Sequence, residues 1–199
     1  RSNNVSVLLN NGDGTFASQS VYPVGDWPNL AFCADLDGDG DLDLATANAT
    51  SDNVSVLLNN GCAGFAAQSV YPVGDGPYSV FSADLDGDGD LDLATANYYS
   101  DNVSVLLNDG DGTFATHSVY PVGDEPWSVF CADLDGDGDL DLATANWGSD
   151  NISVLLNIPR PPHIVSASPA QNELNVPAST NISVTFDLDM DETTINDST

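Results

Sequence analysis

Positive charge is what this sequence lacks most. Its 199 residues include no lysine, and Arg1 and Arg160 are the only fixed cations against 31 Asp and Glu, so the formal net charge is −29. Nucleic-acid binding depends on Lys and Arg contacts to phosphates, and docking on an anionic membrane depends on a basic patch. Both kinds of partner are therefore excluded for this segment.

Long apolar runs, strong helix formers and paired cysteines are also missing. No run of 18 apolar residues is present, so we expect no transmembrane helix and no membrane insertion in this segment. Glu is rare, which argues against a mainly helical fold. No signal peptide is expected, because no charged stretch precedes an apolar one at the start. The three cysteines (Cys33, Cys62 and Cys131) are an odd number without metal-type spacing, so they decide neither a disulfide framework nor the compartment.

Repetition is what the sequence has in abundance. VSVLLN occurs at 5–10, 54–59 and 103–108, a period of 49 residues, and it returns as ISVLLN at 152–157. The longer segment ADLDGDGDLDLATAN occurs at 34–48, 83–97 and 132–146. A period of this length fits a four-stranded propeller blade or another stacked β unit.

Each repeat predicts four short strands, which in one copy are 79–83, 91–96, 103–107 and 114–120. The chain opens at a third strand and the last repeat stops after its third strand, so we expect sheets of two, four, four and three strands. Closed propellers need at least about four blades. The fold class predicted is therefore all-β, with tandem four-stranded blades in an incomplete or open ring that belongs to a longer array or is completed by other copies.

The composition changes after Asn157. Residues 158–163 form a Pro-rich linker, and 164–199 show new strand patterning, with alternation over 181–186. The domains predicted are thus 1–157, the linker 158–163, and a second β module at 164–199. About 36 residues are too few for a usual sandwich of about 100, so we expect this module to be cut off.

The sharpest motif is DLDGDGDLD, which occurs at 35–43, 84–92 and 133–141. Alternate positions of a tight loop point at one centre, and hard carboxylate and carbonyl oxygens suit Ca²⁺ better than the stricter octahedral Mg²⁺. Carboxylates are expected from positions 1, 3, 5 and 9 and a backbone carbonyl from position 7. An EF-hand would need Glu at position 12, where this chain has Thr; the plainer alternative is a solvated hairpin tip. The three predicted Ca²⁺ sites comprise Asp35, Asp37, Asp39, Asp41 and Asp43; Asp84, Asp86, Asp88, Asp90 and Asp92; and Asp133, Asp135, Asp137, Asp139 and Asp141.

Nothing near these loops predicts catalysis. A catalytic ion would need an acid, base or nucleophile that breaks the repeat pattern, and we find none. His117 and His163 are expected at the surface rather than as bases. We therefore predict structural metal sites and a protein that is not an enzyme.

The stretch 81–94, together with VSVLLNDGDGTF at 103–114, resembles the FG-GAP/VCBS repeat family, which includes the Ca²⁺-binding blades of integrin α-subunits. The resemblance implies propeller blades in which the Asp loop joins the first two strands, with Asp90 as the carbonyl donor. The GDGTF turn becomes GCAGF at 61–65, which implies a structural turn there. Residues from about 160 onward resemble the start of bacterial Ig-like domains.

Candidate glycosylation sites follow the Asn-x-Ser/Thr rule, although Asn could simply begin the strand after a turn. They are Asn4, Asn48, Asn53, Asn102, Asn151, Asn181 and Asn196.

Several aromatic residues are candidates for packing between units or for stacking on carbohydrate. Trp27, Tyr78 and Trp127 are assigned to one repeat position, with packing between units the favoured interpretation. Tyr98, Tyr99 and Trp147 follow the second strand and are better placed for a ligand. Cys33 and Cys131 share a strand position and are predicted to be small buried residues, whereas Cys62 lies at a hairpin tip.

These features lead to one expected function and one alternative. We expect a secreted, extracellular or surface-displayed repeat protein, stabilised by calcium, with a structural or adhesive role. Copies could pair through open strand edges into a filament or surface appendage, and glycans or cell-surface proteins are further candidate partners. The alternative is a carbohydrate-binding accessory module of a larger secreted enzyme.

Overall fold

The computed structural model describes residues 2–61 and 64–158, together with the strands at 164–168 and 183–186. These residues hold strands and turns and no helix, so none of them forms a helix that could cross a membrane. The strands are β1 (Asn4–Val7), β2 (Ser20–Pro23), β3 (Pro28–Ala34), β4 (Asp43–Asn48), β5 (Asn53–Leu57), β6 (Ser69–Pro72), β7 (Pro77–Ala83), β8 (Asp92–Asn97), β9 (Asn102–Leu106), β10 (Ser118–Pro121), β11 (Pro126–Ala132), β12 (Asp141–Asn146), β13 (Asn151–Leu155), β14 (Ile164–Ser168) and β15 (Ser183–Phe186).

The chain divides into two compact units, Arg1–Asn157 and Ile158–Thr199. In the second unit β14 pairs antiparallel with β15. The strand predicted over 181–186 is thus present from Ser183. Residues 159–163 of the linker and the rest of the predicted Ig-like module lie outside the described residues.

The first unit consists of separate antiparallel sheets in chain order. They are β1-β2, β3-β4-β5-β6, β7-β8-β9-β10 and β11-β12-β13. We call these the first to fourth blades. The predicted series of two, four, four and three strands is confirmed, as are the all-β class and the open array.

Each blade is an antiparallel meander, because strands that neighbour each other in the sheet are also consecutive in the chain. Within the third blade, Phe81 lies opposite Ala94, and Ala94 lies opposite Val105. Successive side chains of a strand point to opposite faces, so the two faces of a blade present different residues. The second strand is buried along its whole length in the second and third blades.

The core lies between the blades rather than within them. Ala94, Ala96 and Val103 of the third blade pack in one cluster with Val129 and Leu142 of the fourth. An equivalent cluster joins the second blade to the third. Each blade therefore stacks one apolar face on the opposite face of the next.

Aromatic pairs repeat at the same interfaces. Phe32, Phe81 and Phe130 form a ladder from blade to blade, with ring centroids 5.1 and 5.0 Å apart. Tyr71 meets Phe114 edge-to-face at 5.2 Å. Such pairs add about 0.5–1.5 kcal/mol beyond their buried area, so they favour one register of stacking.

A buried polar network links the second and third strands to the loop from the preceding blade. The Asn97 amide donates to Asn102 Oδ1 and Ser104 Oγ at 2.8 Å each, and Ser104 Oγ accepts from the Gly74 backbone N–H at 3.2 Å. The Asn102 amide in turn donates to the Ser100 carbonyl at 2.8 Å. The Asn-x-Ser pattern therefore has a structural use in every complete blade.

Within the part of the chain that the structure describes, no blade packs on one face of the fourth blade. Ile152 and Val154 are 73% and 48% exposed, whereas the corresponding Val103 and Val105 of the third blade are 0% and 8% exposed. The apolar surface that stacking buries elsewhere is open here.

Candidate metal centres

The three Asp-rich loops join the first and second strands of the second, third and fourth blades. In the third blade the loop curls around Asp84, whose carboxylate accepts from the N–H groups of Gly87 at 2.8 Å and Gly89 at 3.1 Å. Both glycines have positive φ, +79° and +97°, a conformation that side chains with a Cβ rarely adopt. Glycine at these two positions therefore lets the chain turn tightly around the carboxylate.

The loops bring carboxylates into compact groups. In each loop three side chains offer oxygens that all lie within 4.8 Å of one another. The groups are Asp35, Asp37 and Asp39; Asp84, Asp86 and Asp92; and Asp133, Asp135 and Asp141. Nine of the fifteen predicted ligands are thus gathered in threes.

The ninth loop residue anchors the loop to its blade. Asp92 is fully buried and accepts from the Leu85 N–H and the Asn108 N–H, both at 2.8 Å. Burial raises the pKa of its carboxyl above the usual value, despite these two hydrogen bonds. Asp43 and Asp141 make the same pair of bonds, so this carboxylate shapes all three loops, and in the third and fourth blades it also belongs to the group of three.

The pKa of the third loop residue reflects desolvation and the neighbouring negative charges. The pKa values of Asp37, Asp86 and Asp135 are raised, first by desolvation and then by neighbouring carboxylates. The described part of the chain contains no Lys or Arg, so no side chain there can neutralise the groups. A cation from solution is the remaining source of positive charge.

The other six predicted ligands are placed differently. They are Asp41 and Asp43, Asp88 and Asp90, and Asp137 and Asp139, which lie outside the groups of three. The seventh residue was predicted to act through its carbonyl, and this role stays a prediction; the Asp90 carboxylate lies beside Gly110 of the next hairpin. Asp88 and Asp137 accept from the N–H two residues further on. The full ligand set remains a prediction.

One atom tests whether these loops fit a metal ion. Asp35 Oδ1 is buried and has no hydrogen-bond partner, which is costly for a carboxylate oxygen. Oxygen ligands in a flexible loop are the donor set that Ca²⁺ prefers. The loops therefore fit a hard cation.

The GDGTF turns show the contrasting case of acids that the chain satisfies itself. Asp111 accepts from the Thr113 hydroxyl at 2.5 Å and from its N–H at 3.1 Å, which lowers the pKa of this exposed carboxyl. Asp13 does the same with Thr15. The variant turn at Cys62 lies outside the described residues.

The assignment of Trp27, Tyr78 and Trp127 to one repeat position is wrong. With the period of 49, Trp27 corresponds to Gly76 and Glu125, and these three residues share positive φ values of 56°, 65° and 53°. Tyr78 corresponds to Trp127 and to Asn29. The residues on either side of the proline that begins the first strand differ between copies, so an aromatic residue before this proline was aligned with aromatic residues after it.

Aromatic residues that the sequence analysis placed in two separate groups form one cluster in the structure. Tyr78 stacks on Tyr98 with a centroid distance of 4.5 Å and meets Trp127 at 5.2 Å, and Trp127 lies 6.0 Å from Trp147. Tyr99 completes the group, 5.0 Å from Tyr98. Proximity between blades, which no spacing in the sequence indicates, creates this cluster.

The candidate glycosylation sites differ in accessibility. Asn48 is fully buried and its amide donates to Asn53 and Ser55, Asn4, Asn53 and Asn102 are half-buried, and Asn151 is exposed. Asn181 and Asn196 lie outside the described residues.

The cysteines and histidines are placed as follows. Cys131 is buried as predicted, and burial raises the pKa of its thiol to about 12. The same prediction is wrong for Cys33, which is exposed, because no complete blade covers its face of the second blade. His117 is half-buried rather than at the surface, and His163 lies outside the described residues.

The fold and loops define a repeat protein of propeller-type blades with acidic turns. The profile of the FG-GAP-like repeat matches residues 1–46, 35–95 and 84–144. The chain therefore belongs to the FG-GAP-like repeat family. A Bacterial Ig-like domain profile matches residues 159–199.

Comparison with solved structures gives looser likenesses. A lectin of Agrocybe aegerita that recognises non-reducing terminal N-acetylglucosamine is 28% identical over 78% of this chain and 47% of its own, with a TM-score of 0.46. The Tc holotoxin pore of Photorhabdus luminescens is 24% identical over 72% of this chain and 7% of its own, with a TM-score of 0.43. This chain thus spans about half of the lectin chain. At these TM-scores the likeness carries no conclusion about fold or function. No curated protein matches the chain.

Proposed function

We propose that this chain is a calcium-stabilised extracellular repeat protein with a structural or adhesive role. The observation that carries the proposal is the threefold recurrence of carboxylate groups within 4.8 Å in a described chain without Lys or Arg. A bound Ca²⁺ would cancel the repulsion inside each loop and join the two strands that the loop connects. The residues that would hold it are those of the Asp-rich loops.

The calcium affinity expected of exposed loops agrees with the proposed extracellular location. Modules outside the cell use sites with dissociation constants of about 10⁻⁴–10⁻³ M, which suit exposed, flexible loops such as these. FG-GAP-like repeats and bacterial Ig-like domains are both typical of extracellular proteins. We infer secretion or surface display, and no enzymatic activity, because the loops offer ligands without an adjacent base or nucleophile.

The calcium proposal is tested by thermal unfolding with and without chelator. At free Ca²⁺ about 100 times the dissociation constant, each site would add about 2.7 kcal/mol. We expect a large fall in melting temperature on chelation and recovery on adding Ca²⁺ but not Na⁺. An unchanged melting temperature would overturn the proposal.

We also propose that copies of the chain associate through the open face of the fourth blade. Inside the array, the surface that covers this kind of face is the opposite face of the next blade. The first blade offers such a face, on which Leu8 and Phe16 are exposed. Leu57, the counterpart of Leu8, is buried where the second blade packs on the first, so the two ends of the array present the kinds of surface that pack together inside it.

Light scattering in millimolar Ca²⁺ tests this association. We expect concentration-dependent growth that Ile152→Asp abolishes, while Val70→Asp, an exposed position on the outer strand of the second blade, leaves it unchanged. A strictly monomeric chain at all concentrations would reject self-assembly and leave the calcium proposal standing.

The alternative function, a carbohydrate-binding accessory module of a larger secreted enzyme, is supported by one observation. The aromatic cluster at the junction of the third and fourth blades presents exposed rings beside carboxylates. Binding to a soluble glycan would suit either an adhesin or such a module. Hydrolytic activity in the longer protein would distinguish the two.

A further inference from the structure

Five aromatic side chains form one continuous surface where the third blade meets the fourth. Their ring centroids are 4.5–6.1 Å apart in a chain of contacts, and the Tyr78 and Tyr99 hydroxyls lie 3.4 Å from each other. We call this surface the aromatic platform. It comprises Tyr78, Tyr98, Tyr99, Trp127 and Trp147.

The blade architecture does not require these rings. In the second blade the corresponding positions hold Asn29, Ala49 and Thr50. That blade nevertheless forms the same four-stranded sheet with the same strand register. The aromatic residues are therefore additions to a repeat that folds without them.

The rings are also poorly covered. Tyr99, Trp127 and Trp147 are 63%, 52% and 68% exposed. Leaving three large aromatic faces in water forgoes the free energy that their burial would release. Neighbouring large rings exposed together therefore indicate a surface that a ligand covers.

Polar groups surround the platform on both sides. A cavity of about 290 Å³ lies between Tyr98, Tyr99, Asp101 and Glu125, and a more open one of about 860 Å³ lies beside Trp127 and Trp147. The second also borders Asp150 and Asn151. Hydrogen bonding to Glu125 raises the pKa of the Tyr98 phenol.

The carboxylate oxygens in these cavities accept hydrogen bonds, and the Asn151 amide donates as well. The site thus pairs planar apolar faces with many acceptors and no fixed cation.

We propose that the aromatic platform binds a neutral glycan. A pyranose ring has an apolar C–H face that fits the electron-rich face of Trp or Tyr, and its hydroxyls donate to carboxylate oxygens. The surrounding Asp and Glu would repel uronic or sialic acids. This inference rests on the proposed adhesive role and names its ligand class.

The platform lies far from the metal loops. Tyr78 belongs to the start of β7 and Tyr98 follows the end of β8, whereas the Asp-rich loop joins the opposite ends of the same strands. Six residues of extended strand separate the two ends by roughly 20 Å. Glycan binding and calcium binding can therefore be tested separately.

The experiment uses the whole chain on an array of neutral, uronic and sialylated glycans in millimolar Ca²⁺, followed by calorimetry on the best neutral glycan. Each variant places at the platform the residues that the second blade carries at the same positions. One variant combines Tyr78→Asn, Tyr98→Ala and Tyr99→Thr, and the other combines Trp127→Asn and Trp147→Ala. The control is Trp27→Gly, which removes another exposed Trp and installs the third blade's own residue.

We expect selective binding to neutral glycans, weakened at least about tenfold in both platform variants and unchanged in the control, with melting temperatures preserved. Tenfold corresponds to about 1.4 kcal/mol. No binding to any neutral glycan, equal binding by the platform variants, or binding only to uronic or sialylated glycans would overturn the inference. Loss of calcium dependence with glycan binding retained would contradict only the calcium proposal.

Discussion

Neutralising one carboxylate of one loop should change stability in opposite directions with and without calcium. Asp86→Asn is the informative substitution because Asp86 belongs to the group with Asp84 and Asp92 yet is exposed, so it does not support the core. Its carboxylate accepts from the Asp88 N–H, at 3.3 Å, and an amide oxygen can keep that bond. The substitution therefore removes charge with little change in the loop.

The size of the effect follows from the spacing of the oxygens. At 4.8 Å, two unit charges repel by about 0.9 kcal/mol in bulk water and by about 3.5 kcal/mol at an effective dielectric of 20. Because Asp86 is exposed, the lower figure is appropriate for each of its two neighbours. In chelator, Asp86→Asn should thus stabilise the protein by about 1–2 kcal/mol.

In excess Ca²⁺, Asp86→Asn should destabilise the protein instead. Loss of one site removes about 2.7 kcal/mol at a free concentration of 100 times the dissociation constant, which outweighs the relief of repulsion. The calcium-dependent gain in stability should fall by about one third, since two loops remain intact. For a chain of this size 1 kcal/mol corresponds to roughly 2–4 °C in melting temperature.

Differential scanning calorimetry in chelator and in excess Ca²⁺ measures both states. Asp75→Asn is the matched control, because it removes the same charge from an exposed position outside every loop. If the variant responds to calcium as the wild type does, or if the control behaves like Asp86→Asn, the proposed calcium site in this loop is refuted. Destabilisation in chelator would refute the repulsion argument.

Further predictions concern burial and the polar network. Since burial raises the pKa of Cys131 to about 12, iodoacetamide at pH 8.5 should modify exposed Cys33 at least about 100-fold faster, as measured by peptide mass spectrometry of native protein; equal rates would contradict this packing. Asn97→Ala should cost about 2–3 kcal/mol in urea unfolding, because it leaves Asn102 and Ser104 without a buried donor; a loss below 0.5 kcal/mol would show that water replaces it. If the chain is glycosylated, Asn48 should stay unmodified in the folded protein, since its amide is buried; a glycan there would contradict the fold.

The repeat made much of the architecture predictable. The spacing of apolar and turn-forming residues determines a strand, a turn and the next strand. Because the same pattern occurs in nearly identical copies, each weak indication of a strand or turn is repeated. The strand series, the position of the Asp loops between first and second strands, and the burial of Cys131 all followed from one 49-residue unit. Within a blade, local chemistry decides the outcome.

The errors arose where copies differ or where the array ends. Trp27 was assigned to the position of Tyr78, although the period of 49 aligns it with Gly76; the positive φ that Trp27 and Gly76 share agrees with the period. Cys33 and Cys131 occupy the same strand position, yet one is exposed and the other buried. Burial of a blade face depends on the neighbouring blade, so equivalent residues need not have equivalent surroundings.

Local sequence was sufficient for the acidic loops, because all of their carboxylates lie within nine residues of one another and glycine forces the turn. The grouping into threes, with Asp92 held by Leu85 and Asn108, required the folded blade. The aromatic platform required more, because its rings come from two blades and meet only through stacking between them. Adjacent residues determine the geometry of a loop, whereas contacts between blades join residues that lie dozens of positions apart in the sequence.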